Sequence, residues 1–375
     1  MAHFSIVRFL GILSMLSVMV WCQDLTMSQL FNVDPSCNAR DIDAILTDTR
    51  AMLSSARSAT ADLMKTTFFT TPTIRHAMRN ARNAWGTDYY GWNILKFNKG
   101  MSADDLERIS RVDANLAKLQ GLLARTQQAR NSQLLGPDTA FLSCSGSIYQ
   151  ATTLATDVDP NLPQGTTTQQ AYSKPYLFYV PPANAADRSN PAYFNAAGQN
   201  LRVIRPTAGA INKNPATAQV CEVGAPDTSY ASFYLPDTLV AGHEPIIQLL
   251  LCPATFDNGV YRPTYQGVTP AAYDYVVEYQ FQPSVLIHEF LHAFGFEFDD
   301  LPFYKYAQRN AENREIFAPY GAPGIYALAN APQDYVSVLN GVRGGLDTVD
   351  LPDAYRVFCD MCRFPDTKWD SRRRT

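Results

Sequence analysis

The chain has 375 residues, 46% of them hydrophobic, with 31 lysines and arginines against 35 aspartates and glutamates for a net charge of −4. That mildly acidic balance argues against a nucleic-acid or anionic-membrane partner, since either selects a basic surface. No internal repeat or low-complexity linker divides the sequence, so one large domain is expected.

Residues 1–22 read as a secretory signal peptide: Arg8 precedes an apolar run from Phe9 to Trp21, and Gln23-Asp24 opens polar sequence. The run falls short of the roughly 20 apolar residues a membrane span needs. The remainder, 23–375, is expected to be secreted, extracellular and monomeric, with no stable membrane association. Loss of the leader removes one arginine and no acid, moving the charge from −4 to −5. It leaves Cys37, Cys144, Cys221, Cys252, Cys359 and Cys362, an even number that in an exported chain predicts three disulfides. Cys359-Asp360-Met361-Cys362 has the spacing of a half zinc site or a redox pair, but no second CxxC and no βαβ context accompanies it, so a disulfide is the reading preferred here.

A helical lobe is predicted over about 37–135. Ile42, Ile45, Leu46, Thr49, Met52, Leu53 and Ala56 recur at spacings of three and four, one face of a helix. Thr71-Pro72 opens a second helix, with Ile74, Met78, Ala81 and Trp85 in register and Gly86 at its end. Ser102 and Asp105 cap a third, whose stripe is Leu106, Ile109, Val112, Leu116, Leu119 and Leu123. A sheet and catalytic part follows over about 140–360. Tyr176–Val180, Leu201–Ile204, Tyr230–Tyr234 and Ile246–Leu251 read as strands of a small antiparallel or mixed sheet, separated by turn-rich segments such as Asn184 to Pro191. Helices are expected again after residue 303, and 363–375 reads as a basic tail ending in Arg372-Arg373-Arg374.

Between sheet and C-terminal helices lies His288-Glu289-Phe290-Leu291-His292, an HExxH motif on an apolar segment. Gln282-Pro283-Ser284 supplies a helix start and Gly295 a stop. Histidines four apart on a helix share a face, with Cβ atoms roughly 5–6 Å apart, near enough to bind one metal ion. Only five histidines occur in the chain, so this spacing around a glutamate is a specific signal. His76 and His243 have no neighbours at ligand spacing and read as surface residues. Neutral imidazoles suit zinc, and a catalytic zinc keeps one position open for water, from which Glu289 is placed to take a proton as general base.

The third ligand decides the class of enzyme. A third histidine ten residues after the first is ruled out, because Phe298 stands there. Glu312, about twenty residues beyond the second histidine, is one option; Asp299 or Asp300, just past the helix, is the other.

From this point the chain resembles the deuterolysin-like zinc metallopeptidases, or aspzincins, which include fungal lysine-specific endopeptidases. Cys37 with the small-residue helix from Ile42, Leu250-Leu251-Cys252-Pro253 ahead of HExxH, Asp299-Asp300-Leu301 behind it, and Tyr326 to Ala331 with Asp334-Tyr335 are similar to that family's motifs in the same order. The resemblance implies a zincin-like α+β fold in a single two-lobed domain and one zinc ion held by His288, His292 and Asp300, with Asp299 as the alternative ligand. It implies protein or peptide substrates, with Tyr304, or Tyr306 behind it, donating to the oxyanion and Asp334 facing a substrate lysine. The family's Gly-Thr-x-Asp-x-x-Tyr-Gly pattern is altered: Gly-Thr is absent and Phe303 occupies the tyrosine position, with Tyr304 one residue late. That alteration motivates a different reading, a secreted zinc-binding or surface-interaction protein that keeps the site without turnover.

Overall fold

The computed structural model describes residues 24–65, 71–87, 89–90, 100–124, 140–153, 176–179, 203–204, 219–222, 229–234, 246–257, 259, 261–276, 279–293, 321–329 and 347–370. The predicted leader, His243 and Gly295 lie outside them. In chain order the helices are α1 (Met27–Leu30), α2 (Ile42–Met64), α3 (Pro72–Trp85), α4 (Ala103–Leu122), α5 (Ala254–Asp257), α6 (Gln282–Ala293), α7 (Gly321–Ala329) and α8 (Pro352–Cys362). The strands are β1 (Asn32–Val33), β2 (Tyr89–Tyr90), β3 (Gly100–Met101), β4 (Ala140–Ser143), β5 (Gln150–Thr153), β6 (Tyr176–Tyr179), β7 (Val203–Ile204), β8 (Ser229–Tyr234), β9 (Ile246–Leu251), β10 (Tyr273–Tyr275) and β11 (Lys368–Asp370).

Helices α2, α3 and α4 form where capping and periodicity place them. Asp41, Thr71 and Ser102 each accept a backbone N–H with their side chain, satisfying a donor that the first helical turn leaves over. Gly86 ends α3 at φ +65°, and a Cβ there would lie 1.9 Å from the Ala329 carbonyl oxygen, so glycine also lets α7 pack close. The stripe of α4 departs from the expected one only at its first residue: Ile109, Val112, Leu116, Leu119 and Leu123 are buried together with Asp105, whereas Leu106 is 42% exposed. Leu106 sits about 100° round the helix from Asp105, off the face that Ile109 and Val112 define.

The main sheet runs β1-β4-β9-β8. Its first three strands are parallel, while β8 pairs antiparallel with β9, Tyr230 opposite Leu250. The four expected strands divide between two sheets: β8 and β9 lie in this mixed one, with β8 at its edge among the described residues. Strands β5, β6 and β7 form a separate antiparallel sheet. Helix α6 packs against β8 and β9 on one side and against α2 and α8 on the other. Side chains from the predicted helical lobe, the main sheet and the C-terminal helices share one core, in which Phe31 stacks on Phe290 and Trp85 packs on Phe358.

Two of the expected disulfides form: Cys37–Cys144 and Cys221–Cys252. The third does not, since Cys359 and Cys362 are buried free thiols. Both project from α8 about 60° apart around the axis, and Cys362 Sγ turns to accept from Asn80 Nδ2 at 3.8 Å. The basic tail also starts later than expected. Lys368–Asp370 pairs parallel with Tyr273–Tyr275, and Trp369 is fully buried with its Nε1 donating to the Met361 carbonyl at 2.8 Å. No helix among the described residues is long and apolar enough to cross a membrane, and two disulfides fit an oxidising compartment.

Cys37–Cys144 closes the longer loop, with a sequence separation of 107, and joins the chain after β1 to the end of β4. Replacing both cysteines by serine is expected to lower the unfolding free energy by about 2–5 kcal/mol, read from urea unfolding under non-reducing conditions.

Candidate metal centre

Helix α6 is apolar on nearly every side: Val285, Leu286, Ile287, Phe290 and Leu291 are all buried. His288 and His292 lie on its one partly open strip, the His288 side chain 13% exposed. Their rings are held at 4.9 Å between centroids and 67° between planes, and the two Nε2 atoms face each other at 3.2 Å. Two imidazole ligands of one tetrahedral zinc, at Zn–N distances of about 2.0–2.1 Å, have nitrogens about 3.3–3.4 Å apart. The pair therefore meets the spacing one metal ion requires. Glu289, between them in sequence, is 5% exposed.

His288 is oriented from behind. Its Nδ1 lies 2.9 Å from Oδ1 of Asp353, on the first turn of α8, and the bond requires Nδ1 to carry the proton, leaving the Nε2 lone pair directed at His292. Arg356, one turn along, brings Nε to 2.8 Å from Oδ1 and donates from Nη2 to Oδ2 at 3.0 Å. Both members of this ion pair are buried. Burial works to lower the Arg356 pKa, but the charges of Asp353, Tyr261 and Asp360 outweigh it and raise it. Asp360 is further along the same helix. Burial pushes its carboxyl well up, against the opposing pull of Arg356 and a hydrogen bond with Ser284 at the start of α6. Helix α8 thus holds α6 at His288.

The other sequence-predicted residues divide in two. Asp299, Asp300, Glu312, Tyr304, Tyr306 and Asp334 lie outside the described residues. Among those described, no group of three or more histidine, cysteine or carboxylate side chains forms a metal cluster. His76 is bonded through Nδ1 to the Pro365 carbonyl, as a surface residue would be. Burial raises both the Cys359 and Cys362 thiols, Cys359 further through Cys362 and Asp360, while Asn80 only partly offsets the rise at Cys362. Sequence reasoning missed Asp353 and Arg356. The signal present, Leu351-Pro352-Asp353, marks a helix start with an acid in its first turn, which is the ordinary place for a capping residue. No family model matches the chain, and neither curated proteins nor solved structures yield a match.

The ordinary pKa of the Asp360 carboxyl is 3.8, and below about that pH it is protonated in folded and unfolded chains alike. Above it the unfolded chain ionises while the folded one keeps its proton, so this residue's contribution to stability is lost as pH rises until the folded carboxyl also ionises. Asp360→Asn removes that dependence. Its melting temperature relative to the parent chain is expected to increase from about pH 4 to about pH 8, measured by circular dichroism, whereas an equal offset at both would show that burial does not perturb the carboxyl.

Proposed function

We propose that this chain is a secreted zinc-dependent endopeptidase with a zincin-like fold, of the deuterolysin-like or aspzincin kind. The observation that carries the reading is the 3.2 Å approach of the His288 and His292 Nε2 atoms on a buried helix that also bears Glu289. His288, His292 and Asp300 would hold the metal, Asp299 being the neighbouring alternative. A bound zinc ion supplies Lewis acidity to the scissile carbonyl and lowers the pKa of a water molecule towards neutrality.

The chain's own groups do the rest. Glu289 accepts the proton of the attacking water and returns it to the departing amine, so that the peptide bond breaks to a carboxylate and an amine. Tyr304, with Tyr306 behind it, is the donor assigned to the developing oxyanion. Strand β8 lies at the sheet edge among the described residues and against α6, where an extended peptide would add as a further strand through backbone hydrogen bonds. Asp334 is the carboxylate assigned to a lysine side chain just after the scissile bond.

Casein hydrolysis by the purified protein tests the reading. Glu289→Gln is expected to lower it about 10²–10⁴-fold while leaving bound zinc intact, and a chelator to abolish it reversibly. A chain that binds zinc yet cleaves no member of a peptide library would be a zinc-binding or surface-interaction protein instead. For the third ligand, Asp300→Ala should empty the site of zinc in metal analysis while Glu312→Ala retains it. The opposite result would assign the site to a glutamate-type peptidase.

A further inference from the structure

Asp353 meets three independent constraints at one place. It stands on the first turn of α8, directly after Pro352, where the positive end of an eleven-residue helix favours a carboxylate. Arg356 is fixed against it as a buried counter-charge, 2.8 Å from Oδ1 and 3.0 Å from Oδ2. Its Oδ1 accepts from His288 Nδ1 at 2.9 Å. Helix α8 has little freedom to move away: Tyr355 Oη donates to the Val349 carbonyl at 2.8 Å and accepts from Asn115 Nδ2 at 2.9 Å, and Phe358 packs on Trp85 with ring centroids 4.2 Å apart. An i,i+3 ion pair needs no histidine to stabilise it, and a histidine serving only as core filler needs no fixed tautomer. The contact instead joins two elements 65 residues apart at the one ring atom whose protonation decides whether Nε2 can bind a metal.

We propose that Asp353 is a positioning residue of the candidate metal centre, acting through His288, with Arg356 holding its carboxylate in place. The proposal rests on the reading of His288 and His292 as metal ligands. A carboxylate bonded to the far nitrogen of a ligating imidazole selects the tautomer, fixes the ring plane and raises the basicity of the ligating nitrogen, and its loss weakens metal binding by about 10–100-fold. Arg356 pairs with the buried carboxylate and keeps it from turning elsewhere.

The test uses the full secreted chain and zinc itself, titrated against a chromophoric chelator, with cobalt substitution to give a visible spectrum. Asp353→Ala is expected to weaken zinc binding about 10–100-fold and to change the cobalt absorption. Asp353→Asn, which keeps an acceptor oxygen of the same shape, should fall between it and the parent. Ser102→Ala removes the hydroxyl that caps α4, a different helix from those bearing His288 and Asp353, so it should lower the melting temperature yet leave zinc affinity and the cobalt spectrum as they are. Should Asp353→Ala not fold, Asp353→Asn and nitrogen-15 NMR of the parent chain's imidazoles carry the test, with His288 expected as the Nδ1–H tautomer. Zinc affinity within about twofold of the parent in a folded Asp353 variant, or an Nε2–H tautomer at His288, overturns the positioning role while leaving the metal centre standing. A parent chain that takes up no zinc overturns the metal centre itself, and the positioning role with it.

Discussion

Nearly complete burial of helix α6 is the constraint on which the rest of the structure depends. A solvent-exposed helix carrying two histidines four apart lets each ring sample its rotamers; one packed between the sheet and two other helices does not. Phe290 stacks on Phe31, Leu286, Ile287 and Leu291 are inside the core, and only the strip bearing His288 and His292 is partly open. Packing limits those rotamers, and a hydrogen bond between the two Nε2 atoms at 3.2 Å sets their separation.

The same burial creates an electrostatic problem that α8 resolves. A polar ring pressed into a core needs partners for its nitrogens, and an unpaired buried carboxylate would cost far more than the hydrogen bond it makes. Asp353 and Arg356 answer both needs as a pair, and burial raises the carboxyl of Asp360 beside them. Such a cluster is not a strong source of stability, because desolvation offsets most of the attraction between the charges. Its value is directional: it sets which nitrogen of His288 bears the proton.

Much of the local structure was legible in the residues. The caps at Asp41, Thr71 and Ser102, the stop at Gly86, the strands Ser229–Tyr234 and Ile246–Leu251 and the helix bearing HExxH follow from periodicity and turn chemistry, which act over a few residues. The failures occurred where a distant partner decides. Leu106 looked like core by spacing, but the face that α4 buries is chosen by what packs on it. Cys359 and Cys362 looked like a disulfide by number, but both stand on α8 as buried free thiols. Trp369 fell within a stretch read as tail because a short strand carries no signal until its partner, Tyr273–Tyr275, is known.

For the candidate centre, the sequence by itself determined the pair of histidines, the glutamate between them and the helix that carries all three, since an i,i+4 spacing is written in one dimension and folds into one face. Only the tertiary structure decided which way the rings point and what stands behind them. Asp353 lies 65 residues beyond His288, and nothing in the local pattern of α8 distinguishes an acid that caps its own helix from one that orients a side chain on another. The choice is made by packing between elements far apart in the chain, whose contacts depend on the whole core rather than on any short window of residues.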